Sequence, residues 1–178
     1  PALPASWRML ASLYRMVGRK QESAIAAQHV AKLATLATEV VTARSMLADG
    51  NLREAEDLIR GYLRRKPDDI EALRVLALVA YQNEFSKDAA TLLEAVLAAE
   101  PDYRPARHDY VLALIALHRH KQAREQIEIL IAAEPDNIMF RTTLAGIMVG
   151  EGSTEAAIAL YGELARQQPG DPELHLSL

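Results

Sequence analysis

A small residue followed four positions later by a bulky one recurs along this chain. The pairs are Ala55 and Ile59, Ala89 and Leu93, Ala123 and Ile127, and Ala157 and Tyr161, each 34 residues beyond the last. A second small position keeps the same step at Ala43, Ala77 and Ala145, with Val111 as the exception. Pro67, Pro101, Pro135 and Pro169 share it too. A 34-residue unit is long enough for two helices of three to four turns and two short connections. Small residues let the paired helices approach closely, and the bulky ones, with Tyr62 and Leu63 in the first unit, fill the seam with the next. Proline ends the second helix, because the residue before it avoids the α region.

The frame predicts complete units over 36–69, 70–103, 104–137 and 138–171. First helices are expected at about 36–49, 70–83, 104–117 and 138–150, and second helices at about 53–65, 87–99, 121–133 and 154–167. Acidic or amide residues follow each proline: Asp68 and Asp69, Asp102, Asp136 and Asn137, Asp171. They suit the start of the next helix as caps and as partners for its positive end. Gly50-Asn51 and Gly152-Ser153 have turn chemistry between paired helices. Phe85-Ser86 and Arg119-His120 do not, so those turns follow from the frame alone.

This pattern resembles the tetratricopeptide repeat family, whose signature runs from a large residue through Leu-Gly and Tyr to Ala, a bulky residue and Pro. Trp7, Leu10, Ala11 and Tyr14 match its first half, and Gly18 marks the turn. The later units depart from it, with Glu39, Leu73, Arg107 and Arg141 where the family has its large aromatic. The resemblance implies an all-α, right-handed α-solenoid of helical hairpins, one domain over 1–178. It comprises four full repeats, an N-terminal helical pair at 4–33 and the start of a further helix at 172–178. The N-terminal pair is slightly out of register. No Pro or Gly lies between Gly18 and Gly50, so residues 20–49 form either one long helix or two with a break near Ala34. The chain opens without Met and stops inside a repeat, and it reads as a fragment; an uncapped terminal repeat leaves its seam open.

Half the residues are apolar and only 5% aromatic, a mix that suits close-packed helices better than a β-sandwich. The net charge is −4, with acidic and basic residues interleaved. No Lys/Arg stripe addresses nucleic acid or an anionic membrane. Apolar stretches such as Val75 to Tyr81 are far too short to span a bilayer. No signal peptide is visible, and the cytoplasm is the expected compartment. The absence of cysteine removes disulfides, thiolate metal sites and cysteine nucleophiles.

Candidate chemistry is sparse. His118 and His120 sit two apart at a turn, without the third ligand a metal needs. Gly150-Glu151-Gly152-Ser153 lacks the preceding strand, third glycine and Lys-Ser/Thr of a phosphate loop, and reads as an inter-helix turn. No HExxH, G-x-S-x-G or di-metal Glu-x-x-His pattern occurs. The expectation is a non-catalytic chain with no cofactor and no metal.

In the family the first helices line a concave groove where partners dock. Carried onto this chain, the groove positions are Val40, Arg44, Arg74, Leu78, Tyr81, Gln82, His108, Leu112, Ile115 and Thr142. They imply an apolar floor with cationic and polar groups, suited to an extended or helical peptide. The carboxylate clamp of chaperone-adaptor members is not expected, since its positions hold Val40, Arg44, Val75, Pro105 and Asp109, and Asp109 would repel a carboxylate. The leading expectation is therefore a protein-interaction scaffold, with a homodimer left open. Residues 103–178, with Arg107, Tyr110, Glu134-Pro135 and Ile158 to Tyr161, together with Gln28-His29-Val30, also look like the repeats preceding a bacterial sulfotransferase domain. That likeness implies an alternative, in which the chain is the dimerising or acceptor-presenting arm of a larger enzyme.

Overall fold

The computed structural model describes residues 4–167. Pro169, Asp171, His175 and the helix expected to start at 172 lie outside the described residues. Among the described residues there are ten helices and no strand: α1 (Pro4–Met16), α2 (Lys20–Ala34), α3 (Thr38–Ala48), α4 (Leu52–Leu63), α5 (Ile70–Gln82), α6 (Ser86–Ala99), α7 (Arg104–Ala116), α8 (His120–Ala133), α9 (Ile138–Gly150) and α10 (Thr154–Gln167). They form two compact units, one with α1 to α5 and one with α6 to α10.

In the first unit α1 pairs with α2 and α3 with α4, and α5 packs on both α3 and α4. Ala43, Ala55 and Ile59 are fully buried where α3 meets α4, as their spacing requires. The stretch from 20 to 49 is two helices, broken at Thr35 to Ala37, with Ala37 extended (φ −61°, ψ 144°). No helix breaker sits there; each helix instead packs on its own partner. In the N-terminal pair the Ser23 hydroxyl, standing where later hairpins have alanine, donates to the Ala11 carbonyl at 2.9 Å. Trp7 stacks on His29 with ring centres 4.2 Å apart.

In the second unit each helix packs on the next, from α6 through α10. Leu93, Val111, Ala123, Ile127, Ala145 and Ala157 are all buried at the frame positions. A fully buried Leu or Ile side chain contributes about 1.5–3 kcal/mol, so these rows dominate the local stability.

The turns between paired helices share one device. Gly18, Gly50 and Gly152 adopt φ of 77°, 78° and 80°, and the N–H groups of Arg19, Asn51 and Ser153 reach back five residues to Tyr14, Met46 and Met148. This is the glycine C-cap that satisfies the last carbonyls of a helix. Glu84 and His118 occupy the same position, with φ of 65° and 56°. The two turns without turn chemistry therefore use the same geometry with strained non-glycine residues.

Helix starts vary more. Asp69 caps α5 by accepting from the Ala72 N–H at 2.9 Å, and Asn137 caps α9 by accepting from Phe140 N–H at 3.4 Å. Asp102 does not cap α7: the capping position falls on Tyr103, which makes no side-chain cap bond, and Pro105 lies in the first turn.

Where the family has its large aromatic, this chain builds polar ties. Glu39 accepts from Arg65 at 2.8 Å, and the equivalent Arg141 donates to Gln167 at 3.3 Å and pairs with Glu163 at 2.8 Å. Arg107 donates to the Gln126 side chain and to the Pro101 carbonyl.

Candidate protein-binding groove

In the first unit the groove positions of α5 are Arg74, Leu78, Tyr81 and Gln82, spaced so that one helical face carries all four. Arg74, Leu78 and Tyr81 are half-buried and Gln82 is exposed. On α3, Arg44 is half-buried. Val40 is fully buried and belongs to the core rather than to the groove surface. It lies one helical turn before Arg44, yet the α3 backbone turns it inward beside Ala43.

The polar centre of this face is Glu71, a residue that sequence reasoning missed. Its carboxylate lies 3.9 Å from the Arg44 guanidinium on α3 and 3.7 Å from that of Arg74. Two cations thus share one acid across successive first helices. The only trace in the sequence is Glu71 standing three residues before Arg74, an ordinary helical pair. The bridge to Arg44 crosses from one repeat to the next and leaves no local signature.

In the second unit His108, Leu112 and Ile115 line one face of α7, again half-buried, and Thr142 holds the equivalent of His108 on α9. The His108 ring lies 5.6 Å from Phe140, tilted by 39°. Tyr110, one step round the helix, is buried and donates to Glu94 at 3.2 Å; burial, then the Glu94 charge, pushes its phenol up. Of the ten predicted positions Val40 is buried, Gln82 is exposed and the other eight are half-buried, on α3 and α5 in one unit and on α7 and α9 in the other.

Away from these faces, the turn into α8 edges a cleft of about 830 Å³ lined by His118, Arg119, His120, Lys121, Arg124 and Glu151 among others. The His118 and His120 rings are 5.8 Å apart, and no group of three His, Asp or Glu among the described residues is placed to hold a metal. Glu151 is tied to Arg124 by a forked ion pair, with Nε donating at 2.9 Å. That bond holds the Glu151 carboxyl below its ordinary range, helped by Arg124, His120 and Lys121 charge, and raises the Arg124 guanidinium. No helix among the described residues is long and apolar enough to cross a membrane.

Helical hairpins at a 34-residue step, with half-exposed faces on their first helices, define an all-α helical-repeat protein. Two models described as tetratricopeptide repeat match the sequence, over residues 41–103 and 86–147. Together they span more than half of the chain, which belongs to the tetratricopeptide repeat family. Among solved structures, TTC0263, a thermophilic TPR protein of Thermus thermophilus, aligns with a TM-score of 0.68 at 19% identity, over 98% of this chain and 96% of that one. A MamA protein aligns at 0.65 and 16% identity, over 93% and 92%. A double mutant of MamA RS-1 aligns at 0.68 and 19%, over 79% and 82%. Identities this low establish a shared fold and nothing finer. No curated protein matches the sequence.

Proposed function

We propose that this chain is a non-catalytic scaffold that binds a peptide or protein segment on the face of its first helices. The observation that carries this is the pair of half-exposed faces, Arg44, Arg74, Leu78, Tyr81 and Gln82 in one unit and His108, Leu112, Ile115 and Thr142 in the other. Half-buried apolar and aromatic side chains beside fixed cations suit a partner that offers apolar anchors and a few acceptors. In the first unit Glu71 holds the Arg44 and Arg74 guanidiniums close together on this face, which adds a fixed polar centre beside the apolar positions.

The test is cross-linking mass spectrometry of partners captured by the wild type and by an Arg44→Gln, Tyr81→Ala variant. Both residues are only half-buried, so the variant should keep its melting temperature. Partners cross-linked to α3 and α5 should be lost. An unchanged partner list with unchanged cross-links would sink the groove. The likeness of residues 103–178 to the repeats before a sulfotransferase domain stays a resemblance of sequence, because the matching family models describe tetratricopeptide repeats only.

A further inference from the structure

The cleft at the turn into α8 belongs to neither first-helix face, and its lining is cationic. Arg119, Lys121 and Arg124 stand there with one acid, Glu151, and the His118 and His120 imidazoles add to the wall. The repeat supplies its own control for this charge. In 34-residue register, residues 118–122 correspond to 50–54, 84–88 and 152–156. Arg53 and Glu54 cancel in the first of those turns, Glu84 and Asp88 outweigh Lys87 in the second, and Glu155 stands alone in the last. The N-terminal turn holds Arg19 and Lys20, but Arg19 is tied to Glu22 at 2.6 Å. Among the five turns, the one at 118–122 combines two full cations and two histidines with no acid.

The cations of the cleft differ in how far the protein already engages them. Arg124 donates from Nε to Glu151 at 2.9 Å and lies 3.7 Å from Glu128, so its charge is used within the fold. Arg119 and Lys121 are exposed. Neither forms an ion pair among the described residues; Lys121 acts on Glu151 only at longer range. Their position is also costly, because the positive end of a helix disfavours basic side chains. The other second helices carry Glu22, Glu54, Asp88 and Glu155 in their first turns, whereas α8 has no acid there. The fold therefore gains nothing from Arg119 and Lys121, and a bound anion would relieve their repulsion.

A phosphate monoester matches this lining better than a carboxylate does. It carries close to two charges and three acceptor oxygens, and it accepts from guanidinium, ammonium and helix-start N–H groups alike. The volume of about 830 Å³ leaves room for whatever bears the phosphate. His118, Arg119, Lys121 and Gln122 are all exposed, so the cleft is open. Small-molecule sites bury most of their ligand, which this one does not. A partner protein brings its own flanking surface to close over the group. We infer that the cleft receives a phosphorylated serine or threonine side chain of a partner protein, with Arg119 and Lys121 binding the phosphate. The site lies apart from the first-helix faces and does not depend on their binding a peptide.

An array of peptides with varied flanks around a fixed phosphoserine, each beside its unphosphorylated twin, tests this with the whole chain. A subset of the phosphopeptides should be retained and their serine twins should not. Anisotropy with the best phosphopeptide should show a loss of at least about tenfold for Arg119→Gln with Lys121→Gln, and weaker binding as salt is raised. That variant should melt no lower than the wild type, and Lys87→Gln in the preceding turn should bind as the wild type does. Retention of phosphorylated and plain peptides alike, or full binding by the Arg119, Lys121 variant, overturns the inference. So does inorganic phosphate that binds as tightly as the peptides, which would make the cleft a site for the free ion.

Discussion

The His120 imidazole occupies the space that a side chain at Gly150 would need. A Cβ built on Gly150 would lie 2.6 Å from Nδ1 and 2.8 Å from Nε2 of that ring. His120 opens α8 and Gly150 closes α9, so the two meet across a repeat boundary. At the position of His120 the other repeats carry Leu52, Ser86 and Thr154; the histidine is accommodated because its neighbour has no side chain. The ring's Nδ1 is buried there without a hydrogen-bond partner.

That contact makes the effect of Gly150→Ala depend on residue 120. Alanine is favoured over glycine in a helix by about 1 kcal/mol, but with His120 present it must displace the ring. In a His120→Ser background the substitution should stabilise the protein by roughly 0.5–1 kcal/mol. In the wild type it should gain less or cost stability, and the coupling between the sites should be about 0.5–3 kcal/mol. Urea melts of the four proteins measure it. Strict additivity would mean the ring lies elsewhere.

The left-handed turn residues predict opposite outcomes at equivalent positions. Glu84→Gly and His118→Gly each relieve a strain of about 1–2 kcal/mol, partly offset by about 0.4–1 kcal/mol of added freedom in the unfolded chain. Each should therefore raise stability slightly, whereas Gly50→Ala should lower it by about 1 kcal/mol. Thermal melts that move all three the same way would contradict the backbone geometry.

Asp69 serves two elements at once. One carboxylate oxygen caps α5, and the other accepts from the Tyr62 hydroxyl at 2.8 Å, which pushes that phenol up. Asp69→Ala should cost about 1–2 kcal/mol, with Asp69→Asn retaining most of the cap. Equal losses for the two in urea denaturation would show that the cap does not matter. The Tyr62 phenol should return toward its ordinary value in Asp69→Ala, as read by ultraviolet titration.

Acid should loosen the ties between helices. Arg124 holds the Glu151 carboxyl low, Arg141 does so for Glu163, and Asn137, then Arg104, for Glu134. A carboxyl depressed by folding contributes stability above its unfolded value and loses it as pH falls through the folded value. These contributions are therefore full at neutral pH, begin to decline as pH approaches the ordinary value of 4.5, and are gone only below the depressed folded values. Because Glu163 and Glu134 are largely open to solvent and only Glu151 is more covered, the decline is shallow. Glu151→Gln should start less stable at pH 7 and lose less on acidification. Denaturation curves for the variant and wild type that shift in parallel with pH would rule this out.

Much of the fold was legible because a repeat states its rule several times. Ala55, Ala89, Ala123 and Ala157 locate the second helices, and α5, α9 and α10 match their expected ranges to within a residue. Ala89→Leu should accordingly overpack its seam and cost roughly 1–3 kcal/mol; an unchanged melt would put the register in doubt. What stayed hidden depends on contacts or on backbone that composition does not encode. Glu84 and His118 give no sign that their φ is positive, since nothing about Glu or His demands it. Asp102 looked like a cap but stands one residue early. Val40 shares a helical face with Arg44 yet is buried, because the width of a buried stripe is decided by the neighbouring helix.

Glu39 with Arg65, Arg104 with Glu134, and Arg141 with Gln167 each close within a single 34-residue unit. A gene duplication that copies one such unit carries both members of its tie along, leaving no stranded charge. Arg124 and Glu151 straddle a boundary, so inserting a unit between them would separate them. Arg44 with Glu71 and Tyr110 with Glu94 straddle the two earlier boundaries in the same way, so a unit inserted at any of these joints would part a tie that the present order keeps together.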